Sequence, residues 1–498
     1  MRSLLTTVLL GMLIGADADR HFGTRRSQTH RDPPRRAARR ATPSQYLNNR
    51  TAEFVVNGTN IPLYSHDLGE SYAGLLPIAH EYRVDPNGTD ARELFFWFFP
   101  SDNPAATDEI TIWLTGGPGC SSLVAWNKLT NIVYIEQPVG VGFTQGTPGL
   151  LKDEADVARE FLGFWKNFVD AFNLHGRKIL VAGESYAGYY IPYITDAMLN
   201  ADDTRFFNVD GAFMIDPLIG ERDAAFQVPQ LAMARNFPQL FPFNATFEKQ
   251  ITAVDKTCGF TAFLDEYLVF PAKSVQPPAP TSDGGCDMFD TLLDGMAFLN
   301  PCFSSYHITE TCPFPADPIL NPPDGVEYFN RSDVKAAINA PQTSWAVCLL
   351  GVFGGNVDTS KPPNVDALPR VIERLNKTLI VSGALDLELP TNGTLLAIQN
   401  MTWNGALGFQ NKPFKEQFFV PYVTAATVGD SQGNLWPLAG TGLMGTSHTE
   451  RGLTFVEVFL AGHQEPQWQP AAAFRQLEWM LGRVESMSGM EDWTVTIN

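Results

Sequence analysis

Apolar and polar positions alternate along the chain with two periods, one typical of strands and the other typical of helices. Short apolar runs predict buried strands, and apolar residues that recur every three or four positions predict helices. The predicted strands are residues 52–65, 79–100, 110–114, 132–135, 178–182, 211–215, 378–381 and 454–459. The predicted helices are residues 152–174, 186–200 and 470–484. Buried strands that alternate with helices indicate an α/β fold with a mixed, mostly parallel central sheet and flanking helices.

The alternation breaks in residues 221–325, which contain four of the six cysteines and many Pro and Phe residues. A Pro-Pro-Ala-Pro run at 277–280 is typical of a loop. We therefore predict an inserted cap subdomain over residues 221–325. It would separate two parts of one α/β core, residues 41–220 and 326–498.

The N-terminus has the pattern of a secretory signal. Arg2 precedes the apolar run 4–14, and the small-residue site Ala16-Asp17-Ala18 follows. This run is shorter than the roughly 18 residues that span a membrane, so it predicts a signal peptide over residues 1–18 rather than an anchor. Residues 19–40 are rich in arginine and end in Arg39-Arg40. They predict a propeptide with a dibasic processing site, with a solvated basic tail as the alternative. No other segment is apolar and long enough to span a membrane.

Charge and composition narrow the classes of function. The formal net charge of −19 argues against nucleic-acid binding, which needs a basic surface. Eight Asn-x-Ser/Thr sequons are present where chance gives about three, so we predict N-linked glycans and passage through the secretory pathway, to secretion or to a vacuolar or lysosomal compartment. The sequons are at Asn49, Asn57, Asn87, Asn244, Asn330, Asn376, Asn392 and Asn400.

The sequence Gly-Glu-Ser-Tyr-Ala-Gly occurs twice, at 69–74 and at 183–188. Gly-x-Ser-x-Gly is the nucleophile elbow of α/β hydrolases, in which a serine sits on a tight turn between a strand and a helix. Only the second copy follows an apolar strand and opens a predicted helix. The context therefore predicts that Ser185 is the nucleophile and that Ser71 is a structural turn residue.

A serine nucleophile needs a histidine base and an acid that orients it. His463 lies in Ala-Gly-His directly after a predicted strand, whereas His448 lies in a polar Gly/Thr/Ser loop. The Ser, Asp, His chain order of α/β hydrolases favours His463 as the base. Asp386 follows the strand 378–381 on a short loop, so we predict that it is the acid.

An acyl-transfer site also needs backbone N–H donors for the oxyanion that forms. The glycine turn 115–119 follows the predicted strand 110–114. We predict an oxyanion hole made by the N–H groups of Gly117 and Tyr186. A phosphate-binding loop is the alternative, but no Gly-Lys-Ser/Thr follows the glycines.

Together these residues make the chain similar to the serine carboxypeptidases, which have the α/β-hydrolase fold. The resemblance covers about residues 45–485, and its motifs occur in the family's order. These motifs are Trp113-Leu114-Thr115-Gly116-Gly117-Pro118-Gly119-Cys120-Ser121-Ser122, Glu136-Gln137-Pro138-Val139-Gly140-Val141-Gly142-Phe143, Gly183-Glu184-Ser185-Tyr186-Ala187-Gly188, Ser382-Gly383-Ala384-Leu385-Asp386 and Gly462-His463.

The resemblance implies a serine-type carboxypeptidase that releases C-terminal amino acids from peptides and proteins at acid pH, with no cofactor and no metal. It also implies that Glu184 and Thr115 hydrogen-bond the terminal carboxylate of the substrate. A carboxyl group can hold a carboxylate only if one proton is shared between them, which accounts for an acidic optimum. The resemblance further implies a disulfide between Cys120 and Cys348. The other four cysteines allow three pairings.

The sequence departs from the family pattern in several places. The family usually has Asn at the position of Thr115, Asp at the position of Ala384, and Met-Val at the positions of Gln464-Glu465. A Glu after the base could favour basic side chains in the leaving-group pocket.

The largest departure is a gap after Leu123, where the family carries roughly forty further residues with a Glu that also binds the substrate carboxylate. The gap keeps two other hypotheses open. One is an esterase or acyltransferase on the same triad. The other is a chain with impaired or absent catalysis, either a folded binding protein or the product of a defective splice or gene model.

Overall fold

The computed structural model describes residues 44–64, 67–79, 92–121, 128–312, 325–349, 351–422 and 440–495. The predicted signal peptide (1–18) and propeptide (19–40) lie outside these ranges, and so does the sequon at Asn87. The position of the predicted gap, within residues 122–127, also lies outside them. Among the described residues, no helix is both long enough and apolar enough to cross a membrane.

One central sheet of eleven strands runs through the described residues. In chain order its strands are β1 Val55–Asn57, β2 Glu70–Pro77, β3 Glu93–Phe99, β4 Glu109–Thr115, β5 Ile132–Glu136, β6 Lys178–Glu184, β7 Val209–Ile215, β8 Thr378–Gly383, β11 Glu416–Val420, β12 Gly442–Glu450 and β13 Leu453–Val458. A separate two-stranded ribbon is formed by β9 Thr402–Trp403 and β10 Ala406–Leu407.

The strands lie in the order β1-β2-β3-β5-β4-β6-β7-β8-β13-β12-β11. The central pairs from β5 to β13 are parallel, and the pairs at both ends of the sheet are antiparallel. The prediction of a mixed, mostly parallel sheet is therefore confirmed. The parallel arrangement brings the carboxyl ends of β4, β6, β8 and β13 to one edge, which is where α/β folds place their sites.

Helices occupy the connections from β5 to β6, from β6 to β7, from β7 to β8 and from β8 to β9, and two more follow β13. The α-helices are α1 Glu154–Phe172, α2 Ala187–Asn200, α3 Arg222–Phe226, α4 Gln230–Asn236, α5 Ala245–Cys258, α6 Phe260–Tyr267, α7 Met288–Leu299, α8 Ser332–Ala337, α9 Ala367–Leu375, α10 Thr391–Gln399, α11 Glu465–Trp468 and α12 Pro470–Met480. Short 3-10 helices lie at Ala52–Phe54, Gly58–Asn60, Pro104–Ala106, Asp283–Gly285, Tyr328–Asn330, Gly354–Asn356 and Pro363–Val365.

The helix α1 shows how the sequence pattern becomes packing. Asp153 caps its N-terminus by accepting a hydrogen bond from the Asp156 backbone N–H, and Asn173 ends it in a left-handed conformation. The aromatic residues of its inner face are buried against the rings of β3, with Phe168 in edge-on contact with Phe96 and Phe98. This packing fixes one face of the sheet.

The predicted cap residues 221–325 form helices α3 to α7 in their described part. These helices share an apolar cluster of their own, which also contains Leu385 and Leu387 from the core. Those two leucines flank Asp386 in sequence. The cap therefore packs directly on the loop that carries the predicted catalytic acid.

Three local predictions were wrong. In its described part, the predicted strand 52–65 contains only the short strand β1, which lies between the 3-10 helices Ala52–Phe54 and Gly58–Asn60. Ser71 lies in the buried strand β2, paired with Val56, and not in a turn, because its neighbours form a ladder with β1 and β3. His448 lies in β12 and not in a loop. Its strand was missed because Gly442–Glu450 is polar and glycine-rich, and β12 is held by its two neighbouring strands rather than by an apolar run of its own.

Candidate active site

Ser185 stands on a tight turn between β6 and α2. Its backbone is in the left-handed region, with φ of 63°, which is unusual for a residue other than glycine. The backbone around it is held in place, since the Ser185 carbonyl accepts hydrogen bonds from Gly188 and Leu218 and its N–H donates to Ile215. This strained strand-to-helix turn exposes the hydroxyl group, as a nucleophile elbow requires.

The structure brings Ser185, His463 and Asp386 together from three separate parts of the chain. His463 Nε2 lies 2.8 Å from Ser185 Oγ, and His463 Nδ1 lies 2.7 Å from Asp386 Oδ2. Asp386 follows β8 and His463 follows β13, so both side chains come from loops at the carboxyl edge of the sheet. The imidazole and the carboxylate are both buried. The geometry is that of a serine nucleophile, a histidine base and an orienting acid.

The turn after β4 lies against the start of α2. Any side chain on Gly116 would overlap the backbone nitrogen of Tyr186, so only glycine permits this approach. Gly117, the next residue, has φ of 117° and belongs to the same turn. The two backbone segments that would supply the predicted oxyanion donors are therefore neighbours beside Ser185.

Disulfides and backbone hydrogen bonds fix the glycine turn. Cys120 is bonded to Cys348, the pair that the resemblance implies. On either side of this bond, Leu349 N donates to Gly119 O at 2.9 Å and Ser121 N donates to Val347 O at 2.9 Å. The remaining cysteines pair within the predicted cap, as Cys258–Cys286 and Cys302–Cys312.

Glu184 and Thr115 are direct neighbours on adjacent strands, paired across β4 and β6. Glu184 is 2% exposed, and its Oε2 atom has no hydrogen-bond partner within the described part of the chain. Burial raises the pKa of Glu184 to about 7, although the His463 charge and a hydrogen bond from Gln464 oppose the shift. A carboxyl group that keeps its proton at mildly acid pH thus lies directly before Ser185, the predicted nucleophile.

The pKa of His463 is set by opposing effects. Burial lowers the pKa, but the ionised Asp386 carboxylate and its hydrogen bond outweigh burial and raise it, with further help from Glu388 and Glu184. Glu388 and Glu184 raise the pKa of His463 only while their carboxyl groups are ionised. Burial raises the pKa of Glu388 as well as that of Glu184, so both glutamates take up protons as the pH falls. Once protonated, they no longer stabilise the positive charge of the imidazolium.

Glu136 and Glu465 are two further carboxyl groups near this edge, and the structure gives both a structural environment. Glu136 is fully buried and accepts hydrogen bonds from Ser121 Oγ, the Phe143 N–H and Trp345 Nε1. Glu465 is also fully buried and accepts a hydrogen bond from Gln476 on α12. Its other oxygen, Oε2, has no hydrogen-bond partner among the described residues. That Glu465 favours basic side chains in the leaving-group pocket stays a prediction.

Several residues near the triad had no signal in the sequence. Asp216 follows β7 with φ of 43°, and its Oδ1 accepts a hydrogen bond from the N–H of Gly383, the last residue of β8, three positions before Asp386. The ring of Tyr306 meets the His463 ring edge-on at 4.9 Å. Both contacts join distant parts of the chain, so no local motif could have indicated them.

Comparison with known proteins identifies the family. The family model described as serine carboxypeptidase matches residues 69–125 and 123–483. The chain belongs to the serine carboxypeptidase family. The two segments matched by the family model overlap at residues 123–125, next to the position of the predicted gap after Leu123.

Named relatives of this serine carboxypeptidase cover nearly all of the chain. A "Probable serine carboxypeptidase" of Arthroderma benhamiae is 44% identical over 484 residues, covering 89% of this chain and 88% of the relative. "Serine-type carboxypeptidase F" of Aspergillus niger is 39% identical over 544 residues, covering 98% and 99%. Because that alignment is longer than the 498 residues of this chain, it contains positions that this chain lacks.

A solved structure shows the same fold. The prohormone-processing carboxypeptidase Kex1ΔP of Saccharomyces cerevisiae superimposes with a TM-score of 0.67 at 20% identity, covering 88% of this chain and 98% of that structure. The α/β-hydrolase architecture with its mostly parallel sheet is thereby confirmed.

Substitution of the two serines in the repeated motif separates their roles. Ser185→Ala should lower kcat by at least about 10⁴-fold, because the nucleophile is lost. Ser71→Ala should leave kcat nearly unchanged, because the Ser71 hydroxyl is buried in β2 and has no partner among the described residues. Turnover of one peptide substrate, with thermal unfolding as the control for folding, measures both. A Ser71→Ala protein that is folded but as inactive as Ser185→Ala would refute the assignment.

Proposed function

We propose that this serine carboxypeptidase releases single C-terminal amino acids from peptides through an acyl-enzyme on Ser185. Ser185 Oγ attacks the carbonyl carbon of the last peptide bond and its proton passes to His463 Nε2. The C–N bond breaks, and the same proton goes to the departing amino group. Water then attacks the ester with His463 again as the base, which restores Ser185. Asp386 orients the imidazole and stabilises the imidazolium in both steps.

The observation that carries the choice of a carboxypeptidase is the buried Glu184 carboxyl beside the triad. A protonated Glu184 can donate a hydrogen bond to the free carboxylate of a substrate, with Thr115 as its neighbour across the sheet. An ionised Glu184 would instead repel that carboxylate. An esterase or an acyltransferase has no terminal carboxylate to bind, so Glu184 favours the peptidase over this alternative.

The oxyanion of each tetrahedral intermediate would be stabilised by the N–H groups of Gly117 and Tyr186. Three contacts hold these donors in place. They are the close packing of Gly116 against the backbone of Tyr186, the Cys120–Cys348 disulfide, and a 2.6 Å hydrogen bond from the Tyr186 hydroxyl to Asp358. Donors that are fixed before the reaction need no reorganisation when charge develops.

The gap after Leu123 supports a second candidate, a carboxypeptidase with weakened substrate binding. The split family match and the long alignment to the Aspergillus niger enzyme both support a segment missing from this chain. The fold nevertheless closes, since β4 and β5 pair in parallel as neighbours and the triad is assembled. The loss would therefore fall on the wall of the carboxylate-binding pocket rather than on the reacting groups.

We further propose that the protein is secreted or vacuolar and carries N-linked glycans. All six cysteines are paired, which fits an oxidising compartment. Of the described sequon asparagines, Asn49, Asn57, Asn244 and Asn376 are exposed. Asn330 is the poorest candidate, because its side-chain amide already donates to Glu327 and to the Trp345 carbonyl.

A free peptide and its C-terminally amidated twin test the proposed function, each with the wild type and with Glu184→Gln between pH 4 and 8. For the free peptide, wild-type kcat/KM should fall as the pH rises through about 7, where Glu184 loses its proton. Glu184→Gln keeps a hydrogen-bond donor and should flatten that fall. The amidated twin should be a poor substrate throughout. Equal rates on both peptides, or a wild-type rate that climbs steadily to pH 8, would contradict the proposal.

Restoring a family-like segment between Leu123 and Trp126 tests the effect of the gap. The restored chain should bind the peptide carboxylate better, so KM should fall by at least as large a factor as kcat rises. Both constants are measured on the same free peptide, with an inserted Gly/Ser segment of equal length as the control. Unchanged constants after restoration would show that the gap is harmless.

A further inference from the structure

The disulfide Cys302–Cys312 closes a short loop of the cap beside the triad. Within it, Ser304 forms a tight turn, because its carbonyl accepts a hydrogen bond from His307 N at 3.2 Å and its hydroxyl accepts one from Tyr306 N at 3.2 Å. We call residues 304–308 the clasp. None of the sequence motifs includes this segment.

One side of the clasp holds the loop of the catalytic acid. The Ser305 carbonyl accepts hydrogen bonds from Leu387 N at 2.9 Å and from Glu388 N at 3.0 Å, and Ser305 Oγ donates to Glu388 Oε2 at 2.8 Å. Ile308 N donates to Leu385 O at 3.1 Å. The clasp is therefore hydrogen-bonded to residues on both sides of Asp386.

The other side of the clasp holds the loop of the catalytic base. His463 N donates to the Tyr306 carbonyl at 2.7 Å, and the Tyr306 ring packs edge-on against the imidazole. The His307 ring lies on the Trp468 ring with centroids 4.1 Å apart, and its Nε2 is 3.4 Å from the Leu460 carbonyl. These contacts fix both the backbone and the ring of His463 from the cap side.

The clasp packs so closely against the loop that carries His463 that residue 462 has no space for a side chain. A Cβ atom on Gly462 would overlap the Tyr306 carbonyl oxygen and the His307 side chain. Glycine at this position therefore allows the clasp to approach the residue directly before His463.

We infer that the disulfide-closed clasp is a positioning element, which sets the distance and angle between Asp386 and His463 by binding both of their loops. The inference rests on the catalytic roles proposed for these two residues. Besides the His463–Asp386 pair, the two loops already share backbone hydrogen bonds, from Leu385 N to Ala461 O at 2.8 Å and from Ala384 N to Val458 O at 3.0 Å. The clasp adds a third backbone segment, and the disulfide limits how far it can move. A displacement of about 1 Å in such a site costs roughly 10²-fold in rate, so the effect belongs mainly to kcat.

The experiment compares removal of two disulfides of the same cap. The double variant Cys302→Ser/Cys312→Ser opens the clasp, and Cys258→Ser/Cys286→Ser opens a neighbouring loop with no contact to the triad among the described residues. We expect the first variant to lose between about tenfold and 10²-fold in kcat with KM nearly unchanged. The control should keep kcat. The far-downfield proton resonance of the His463–Asp386 hydrogen bond should broaden or disappear only in the first variant.

Equal kcat and an unchanged resonance in both double variants would overturn the inference. If the first variant does not fold, the same comparison is made by reducing the disulfides of the wild-type protein. Its bridges are reduced stepwise under native conditions, alkylated and located by mass spectrometry, since Cys312 is exposed. Turnover should fall in proportion to the fraction of molecules in which Cys302–Cys312 is reduced, and it should not depend on reduction of Cys258–Cys286. Full turnover in molecules whose Cys302–Cys312 bond is open would refute the positioning role. An inactive wild type, or an active Ser185→Ala, would instead refute the proposed function.

Discussion

Asp386 and His463 lie 77 residues apart in sequence and meet in a buried hydrogen bond of 2.7 Å. Because both side chains are buried, the carboxylate stabilises an imidazolium more strongly than it could in solvent. The arrangement of the site follows from keeping this pair together. The loops that carry the two residues follow strands β8 and β13, and residues 305–308 are hydrogen-bonded to both loops. The left-handed turn at Ser185 places its hydroxyl beside the other imidazole nitrogen, Nε2.

Buried carboxyl groups are the second physical feature of this protein. Burial raises the pKa of Glu136, Glu184 and Glu457 to about 7, and it also raises the pKa of Glu154 and Asp216 well above their ordinary values. A group whose pKa rises on folding holds its proton more tightly in the folded state than in the unfolded chain. For the three glutamates with a pKa of about 7, this contribution to stability is complete below their ordinary value of 4.5 and is lost as the pH rises through about 7. Burial of these groups therefore makes the folded state more stable at acid pH, and burial of Glu184 also keeps the proton that it needs to bind a carboxylate.

Much of this architecture could be predicted from the sequence, because the signals are local. The apolar runs of β4 to β8 and the aromatic face of α1 indicated the sheet and its first helix, and the elbow around Ser185 needs only a strand, a turn and a helix. Chain order, together with their positions directly after predicted strands, was enough to select Asp386 and His463. Ser71 was misread because the same six residues can continue a strand when β1 and β3 lie beside them.

The contacts that could not be predicted join distant segments. The clasp depends on the pairing of Cys302 with Cys312, which was one of three open possibilities, and on backbone groups that carry no sequence signature. Asp216 resembles any acidic residue after a strand until its hydrogen bond to Gly383 is seen. The burial that raises the pKa of Glu184 likewise arises from tertiary packing, whereas its position before Ser185 was visible in the motif.

The protonation state of Glu184 tests the central claim most directly. Infrared difference spectra between the wild type and Glu184→Gln isolate the carbonyl band of this one carboxylic acid from those of the other buried groups. Our account predicts that the protonated band is present at pH 5 and disappears as the pH rises through about 7. A Glu184 that is already ionised at pH 5 would repel a substrate carboxylate and would contradict the account.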